Sequence, residues 1–293
     1  MTPIRVVASL LVFASAAAAQ APRPETTPLR IIAFGAHPDD CDQKAGGTAA
    51  LWAALGHQVK FVSLTSGDAG HQSQGGGALA RRRREEAREA GRRLGIAEYE
   101  TLDNHDGELL PSLHVREQVI RRIRQWDADV VLGPRPNDYH PDHRYTGILL
   151  QDAAYMVVVP NVCPDTPPLR KNPLFLYFQD GFQRPNPFRP DVAVAIDAVL
   201  DTKVRALDAH VSQMYEWLPW VAGTLAEVPA DAAARLDWLR RTRTGQPIPD
   251  AVRDALRRRY GDRAEAIRDA EVFELCEYGR RPAEGELERL FPP

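Results

Sequence analysis

The sequence predicts an α/β fold: a Rossmann-like, mostly parallel sheet with helices on both faces. Three observations predict it. Short β-rich runs alternate with amphipathic helical stretches, the pattern of strand–helix–strand crossovers. The first run, Ile31-Ile32-Ala33-Phe34, is apolar throughout, as suits a strand buried on both faces. It stops abruptly at His37-Pro38-Asp39-Asp40, and in open α/β sheets ligands gather beyond the carboxyl ends of strands.

The elements follow in order. A first strand is expected over 31–36, then a helix over 46–55, rich in alanine and leucine. Residues 59–64 (VKFVSL) read as a second strand, ending in Thr65-Ser66-Gly67-Asp68. The glycines of 70–77 lack the strand–turn–helix spacing of a phosphate-binding motif, so that stretch is a loop. A helix over 78–94 is closed by Gly95. Another over 115–126 leads into a strand at 129–133. The loop 134–142 carries a second histidine cluster, and a helix runs from it through Met156. Further strands are expected at 174–178 and 192–196, a helix at 202–214, and a short last strand at 272–275. Helical composition and charge dominate 217–268, read as a peripheral extension spanning about 217–270 within a single domain, 29–293.

Residues 1–19 have the layout of a signal peptide. Arg5 supplies the positive start, an apolar stretch follows, and Ala17-Ala18-Ala19 forms the small-residue cleavage site. The stretch is too short and alanine-rich for a membrane span. Residues 20–28, rich in proline and threonine, read as a disordered lead-in. An exported protein is expected, periplasmic or extracellular, with no membrane span after cleavage.

The formal charge is −3, or −4 without Arg5, which argues against nucleic acid or an anionic membrane surface as partner. The one dense basic run, Arg81-Arg82-Arg83-Arg84, is followed by Glu85, Glu86 and Glu89 and reads as a solvated helix face. Three cysteines, Cys41, Cys163 and Cys276, allow at most one bridge and form no disulfide framework. Cys41 sits beside the acidic pair, as a competing thiolate or as a small side chain packed behind the loop.

The chemistry concentrates in two loops. His37-Pro38-Asp39-Asp40 offers an imidazole and two carboxylates within four residues, and Pro38 stiffens the turn. A mix of nitrogen and oxygen donors suits a borderline metal such as zinc, with Fe2+ as the alternative divalent ion. His140-Pro141-Asp142-His143 supplies further donors from a distant strand end. A hydrolytic metal site, with water in an open position, is the leading reading.

These motifs resemble the LmbE/PIG-L family of metal-dependent N-deacetylases, which act mainly on compounds containing N-acetylglucosamine. Ala36-His37-Pro38-Asp39-Asp40 resembles the family's first motif and His140-Pro141-Asp142-His143 its second. Thr65-Ser66-Gly67-Asp68-Ala69-Gly70 resembles the loop after its second strand. Arg83, Glu86, Ala90, Leu94 and Gly95 fit its helix spacing, and Lys203, Ala206, His210, Ser212 and Gln213 its late helix. The chain departs from the family where an acidic residue commonly follows the two aspartates; here stand Cys41 and then Asp42.

The resemblance implies His37, Asp40 and His143 as ligands of a catalytic zinc, leaving coordination open for water and a substrate carbonyl. It implies Asp39 as the general base. His140 would stabilise the oxyanion or protonate the departing amine. Asp142 would orient His140 through its second ring N–H, or else cap the following helix. Arg83 and Asp106 would contact the sugar hydroxyls, Arg83 being otherwise a surface residue. Trp217 and Trp220 are read either as a sugar-stacking platform or as packing of the extension. The substrate expected is a small glycan or glycoconjugate. Two other readings fit the same loops: an amidase for a non-sugar or thiol-conjugate amide, and a non-catalytic carbohydrate-binding protein. The latter has no need of Asp39 beside the ligands.

Overall fold

The computed structural model describes residues 28–293. The signal peptide expected over 1–19, and all but the last residue of the lead-in, lie outside the described residues. Seven strands, β1 (Arg30–Gly35), β2 (Gln58–Thr65), β3 (Glu98–Asn104), β4 (Val130–Gly133), β5 (Leu174–Phe178), β6 (Val192–Ala195) and β7 (Ala270–Cys276), form one sheet in the order β3-β2-β1-β4-β5-β7-β6. Neighbours from β3 through β5 are parallel, and β7 alone runs against its two partners. The α/β expectation holds.

Helices cover both faces because the strands bury alternate residues on each side. Ile31 and Ala33 enter a core with Trp52, Phe61 and Leu94, beneath α1 (Asp40–Ala54), α2 (Gly76–Leu94) and, further along the chain, α5 (Leu200–Ala209). Ile32 and Phe34 enter the opposite core with Ile120 and Leu149, beneath α3 (Leu113–Trp126) and α4 (Pro141–Met156). These four side chains are fully buried, so a charge placed at any of them would have no solvated face to reach. Beyond α5 come α6 (Leu218–Ala222), α7 (Ala232–Arg243) and α8 (Asp250–Tyr260), followed after β7 by α9 (Glu286–Leu290). Here α8 packs Val252 and Leu256 on β6 and β7, and α7 packs Leu239 on Met214 and Tyr215. Among the described residues no helix is long and apolar enough to cross a membrane.

Three elements differ from expectation for physical reasons. The first helix begins at Asp40, not near Gly46. Its glycines allow close packing, since a Cβ on Gly47 would lie 2.7 Å from Ile196. The strand β3 was not expected because its sequence, EYETLDN, is polar. It is a sheet edge, where charge discourages further pairing, and Glu98 and Glu100 both bond Lys60 at 2.8 Å. The helix expected through Met214 ends at Ala209, and a π-helical turn over Ser212–Trp217 follows.

β1 feeds β2 on one side and has β4 on the other, so the strand order reverses between them. That switch point opens a crevice at the carboxyl ends of β1 and β4. The two histidine motifs leave the sheet there.

Candidate metal centre

His37 and His143 come from different loops, yet His37 Nδ1 lies 3.2 Å from His143 Nε2. Asp40 Oδ2 stands 3.6 Å from the first nitrogen and 3.4 Å from the second. Metal bonds of about 2.0–2.2 Å separate neighbouring donor atoms by roughly 3.0–3.6 Å, so this triangle has the dimensions of three ligands on one cation. Asp40 is held in place by the amides of Ala36 and His37, which donate to Oδ2 at 2.9 and 2.8 Å.

The opposite nitrogens of the two rings decide whether a cation fits. His143 Nδ1 lies 2.9 Å from Asp138 Oδ1. His37 Nε2 lies 3.0 Å from Asp106 Oδ1 and 3.3 Å from Asp142 Oδ2, close though not aligned for a hydrogen bond. Each imidazole therefore turns one nitrogen towards a carboxylate, hydrogen-bonded at His143 and in close electrostatic contact at His37, which favours a lone pair on the nitrogen aimed into the triangle. Two facing lone pairs at 3.2 Å call for a positive charge between them. His37 Nε2, Asp106 and Asp142 form a second cluster of potential ligands. Asp142, however, is fully buried and already accepts from the amides of Gly107 and Leu109 at 2.7 and 3.3 Å. That cluster suits support of His37 better than an ion of its own.

The field agrees. Burial works against a charged His143, but Asp40 and Asp138 outweigh it and raise its pKa to about 9. His37 is likewise raised well above its ordinary value, against burial, by Asp106, Asp142 and Asp40. Without a cation the carboxylates recruit protons onto the imidazoles.

Asp39 is the best-braced carboxylate in the loop. Its φ of 139° lies where L-residues are rarely found, a strain of about 1–3 kcal/mol that the surroundings must hold. Gln43 Nε2 donates to Oδ2 at 2.9 Å and Arg83 Nη2 to Oδ1 at 3.0 Å. The Asp39 amide donates to Tyr99 Oη at 3.2 Å, and that hydroxyl donates to Asp42 Oδ2 at 2.8 Å. His210 Nε2 lies 3.2 Å behind the same Asp42 oxygen. Burial raises the Asp39 pKa, with the Arg83 guanidinium opposing.

His140 caps α4: its Nδ1 accepts the Asp142 amide at 3.2 Å. In the neutral ring Nε2 then carries the proton, so His140 can donate a hydrogen bond but not accept one there. Burial and the neighbouring His37 and His143 lower its pKa and favour that neutral form.

Several expected roles change. Asp142 neither orients His140 nor caps the helix; its carboxylate secures the 107–109 loop beside His37. Arg83 is not a solvated surface residue, for it is buried between Pro38 O, Gly67 O and Asp39. Arg83 and Asp106, expected to meet a sugar, face the Asp39 and His37 side chains. Trp217 and Trp220 stack on one another at 5.3 Å, with Trp220 half-exposed. Cys41 lies in the core, and burial followed by Asp42 and Asp40 pushes its thiol well up, so it remains protonated. All three cysteines are free.

The sequence reading missed Asp138, Gln43 and Tyr99. Asp138 had a legible signal, an acid five residues before His143 in the same loop. Tyr99 had none, since it reaches Asp39 from the unexpected edge strand.

Fold and site together define an α/β protein with a candidate two-histidine, one-carboxylate cation site at the sheet's switch point. A family model described as PIG-L: GlcNAc-PI de-N-acetylase matches residues 32–154. A diacetylchitobiose deacetylase of Thermococcus kodakarensis is 31% identical over 198 residues, 65% of this chain and 73% of that protein. The chain belongs to this PIG-L/LmbE family of deacetylases. Among solved structures, N,N'-diacetylchitobiose deacetylase from Pyrococcus horikoshii matches with a TM-score of 0.64 and 25% identity, covering 85% of this chain and 84% of that one. GalB, the 4-carboxy-2-hydroxymuconate hydratase of Pseudomonas putida, matches with a TM-score of 0.62 and 21% identity, over 87% of this chain and 99% of that one, a likeness of fold alone.

Proposed function

We propose that the protein is an exported, zinc-dependent hydrolase that removes the acetyl group from an N-acetylglucosamine-type sugar or sugar conjugate. His37, Asp40 and His143 hold the metal. Bound there, zinc would polarise the amide carbonyl and lower the pKa of a water ligand. Asp39 takes the proton of the attacking water, its raised pKa suiting a carboxylate that must hold one. His140, with its proton on Nε2, donates a hydrogen bond to the developing oxyanion, and the proton taken up by Asp39 passes to the departing amine. Arg83 and Asp106 keep Asp39 and His37 aligned at the edge of the sugar site. The signal peptide over 1–19 and a single domain over 29–293, with its helical extension, belong to the same reading.

The observation that carries this proposal is the pairing of every ring nitrogen in the triangle: one towards the cation position, the other on a carboxylate. A purely structural or sugar-binding role gives no reason for it, nor for a strained carboxylate at Asp39. Similarity to diacetylchitobiose deacetylases supports the choice of amide. The test is metal analysis of the purified protein combined with acetate release from N-acetylated sugars, amino acids and thiol conjugates. Release from N-acetylglucosamine compounds is expected. Zinc-loaded protein that frees acetate from none of the sugars overturns the proposal.

A further inference from the structure

The crevice continues past the metal centre. A small cleft touching Asp40 and His143 shares Lys44, Gln179 and Asp180 with a neighbouring cavity of about 340 Å³. That cavity shares Gln179, Lys203 and Ala270 with a further one of about 280 Å³, between α5, the end of α7 and the start of β7. The three form one lane that runs from the candidate cation ligands to Arg243 and Arg268.

The far end of this lane is positively charged in a protein whose net charge is −3. Nearby, Arg240 pairs with Asp201 and Arg257 with Glu265. Arg243 and Arg268 have neither an ion-pair nor a side-chain hydrogen-bond partner among the described residues. Lys203 is engaged with Glu271 at 2.7 Å and the Gln43 carbonyl at 2.8 Å. The one carboxylate lining the far cavity, Asp269, already accepts the Gly245 amide at 3.2 Å. Two unpaired arginines line this one cavity, and a planar guanidinium is the side chain that pairs bidentately with a carboxylate or phosphate.

We propose that this lane receives an anionic group, carboxylate or phosphate, carried by the substrate away from the amide that is cleaved. The anion site stands on its own, and only its attachment to the substrate rests on the deacetylase reading. Inorganic phosphate is titrated into the wild-type protein and into the Arg243→Ala/Arg268→Ala double variant by calorimetry. The double variant is expected to bind phosphate about tenfold more weakly or worse, whereas Arg243→Lys retains part of the affinity. The His143→Ala protein is expected to keep phosphate binding, which separates this site from phosphate on the metal. Equal affinity in wild type and double variant overturns the site. For the wild type, kcat/KM is then compared between an N-acetylglucosamine derivative with a carboxylate on its aglycone and the corresponding methyl ester. The acid is expected to be favoured about tenfold, and the double variant to lose that preference. Phosphate binding without such a preference overturns the substrate assignment and leaves a site for free anions. If neither compound is hydrolysed, the deacetylase proposal fails while the phosphate titration still decides the site.

Discussion

His37 Nδ1 and His143 Nε2 meet at 3.2 Å, although 106 residues separate them in the chain. Strand order brings this about: β1 and β4 are parallel neighbours, and each histidine leaves the carboxyl end of one of them. Their meeting is what makes two ordinary loop histidines a candidate ligand pair.

Removing the base should separate chemistry from metal binding. Asp39→Asn is expected to lower kcat by roughly 10²–10⁴-fold while bound metal stays at the wild-type level. Metal analysis and steady-state kinetics on the same preparation check this. A variant that keeps most of its turnover would exclude Asp39 as the base.

Asp138 bonds the outer nitrogen of His143 and should set its orientation and basicity. Asp138→Asn is expected to weaken zinc affinity by roughly 10–100-fold. Competition with a chelator of known affinity measures it, and unchanged affinity would show that the contact carries no function.

Proton release should accompany metal uptake. In the metal-free protein His143 titrates at about 9, raised by Asp40 and Asp138 against burial. A raised pKa means that the ring is protonated at neutral pH, whereas a ligand must be neutral. Zinc affinity should therefore climb as pH rises towards about 9, with deprotonation of His37, likewise raised, adding to the climb. Calorimetry at neutral pH in buffers of different ionisation enthalpy counts the protons. Zero protons released would contradict the charged His143.

Gly67 has a φ of +67°, and a Cβ there would collide with the Arg83 guanidinium. Gly67→Ala is expected to cost about 1–2 kcal/mol from the left-handed backbone alone. It should also push Arg83 off Asp39 and so lower kcat with little loss of metal. A fall in melting temperature with kcat unchanged would mean that Arg83 does not serve the base.

Much was legible locally. The buried strands at 31–36, 59–64 and 174–178 announced themselves because sheets covered on both faces need unbroken apolar runs. The helix ending at Gly95 was legible because that residue takes a left-handed φ of +74°, suited to glycine. The edge strand β3 was not legible, since an edge is chosen by its neighbours and not by its own apolar content. By composition Arg83 is one of four adjacent arginines, and only the family resemblance singled it out, as a sugar contact. Only the packing of α2 against the first loop selects it for burial beside Asp39.

The sequence by itself determined the fold class, the two loops that carry the chemistry and the donor types within them, because each is a property of a short contiguous segment. Tertiary structure alone decided the partnerships: Asp138 with His143, Asp106 and Asp142 with His37, and Tyr99 and Arg83 with Asp39. Hydrogen bonds between distant segments depend on ångström-scale placement by the sheet, and no local pattern of residues encodes that distance.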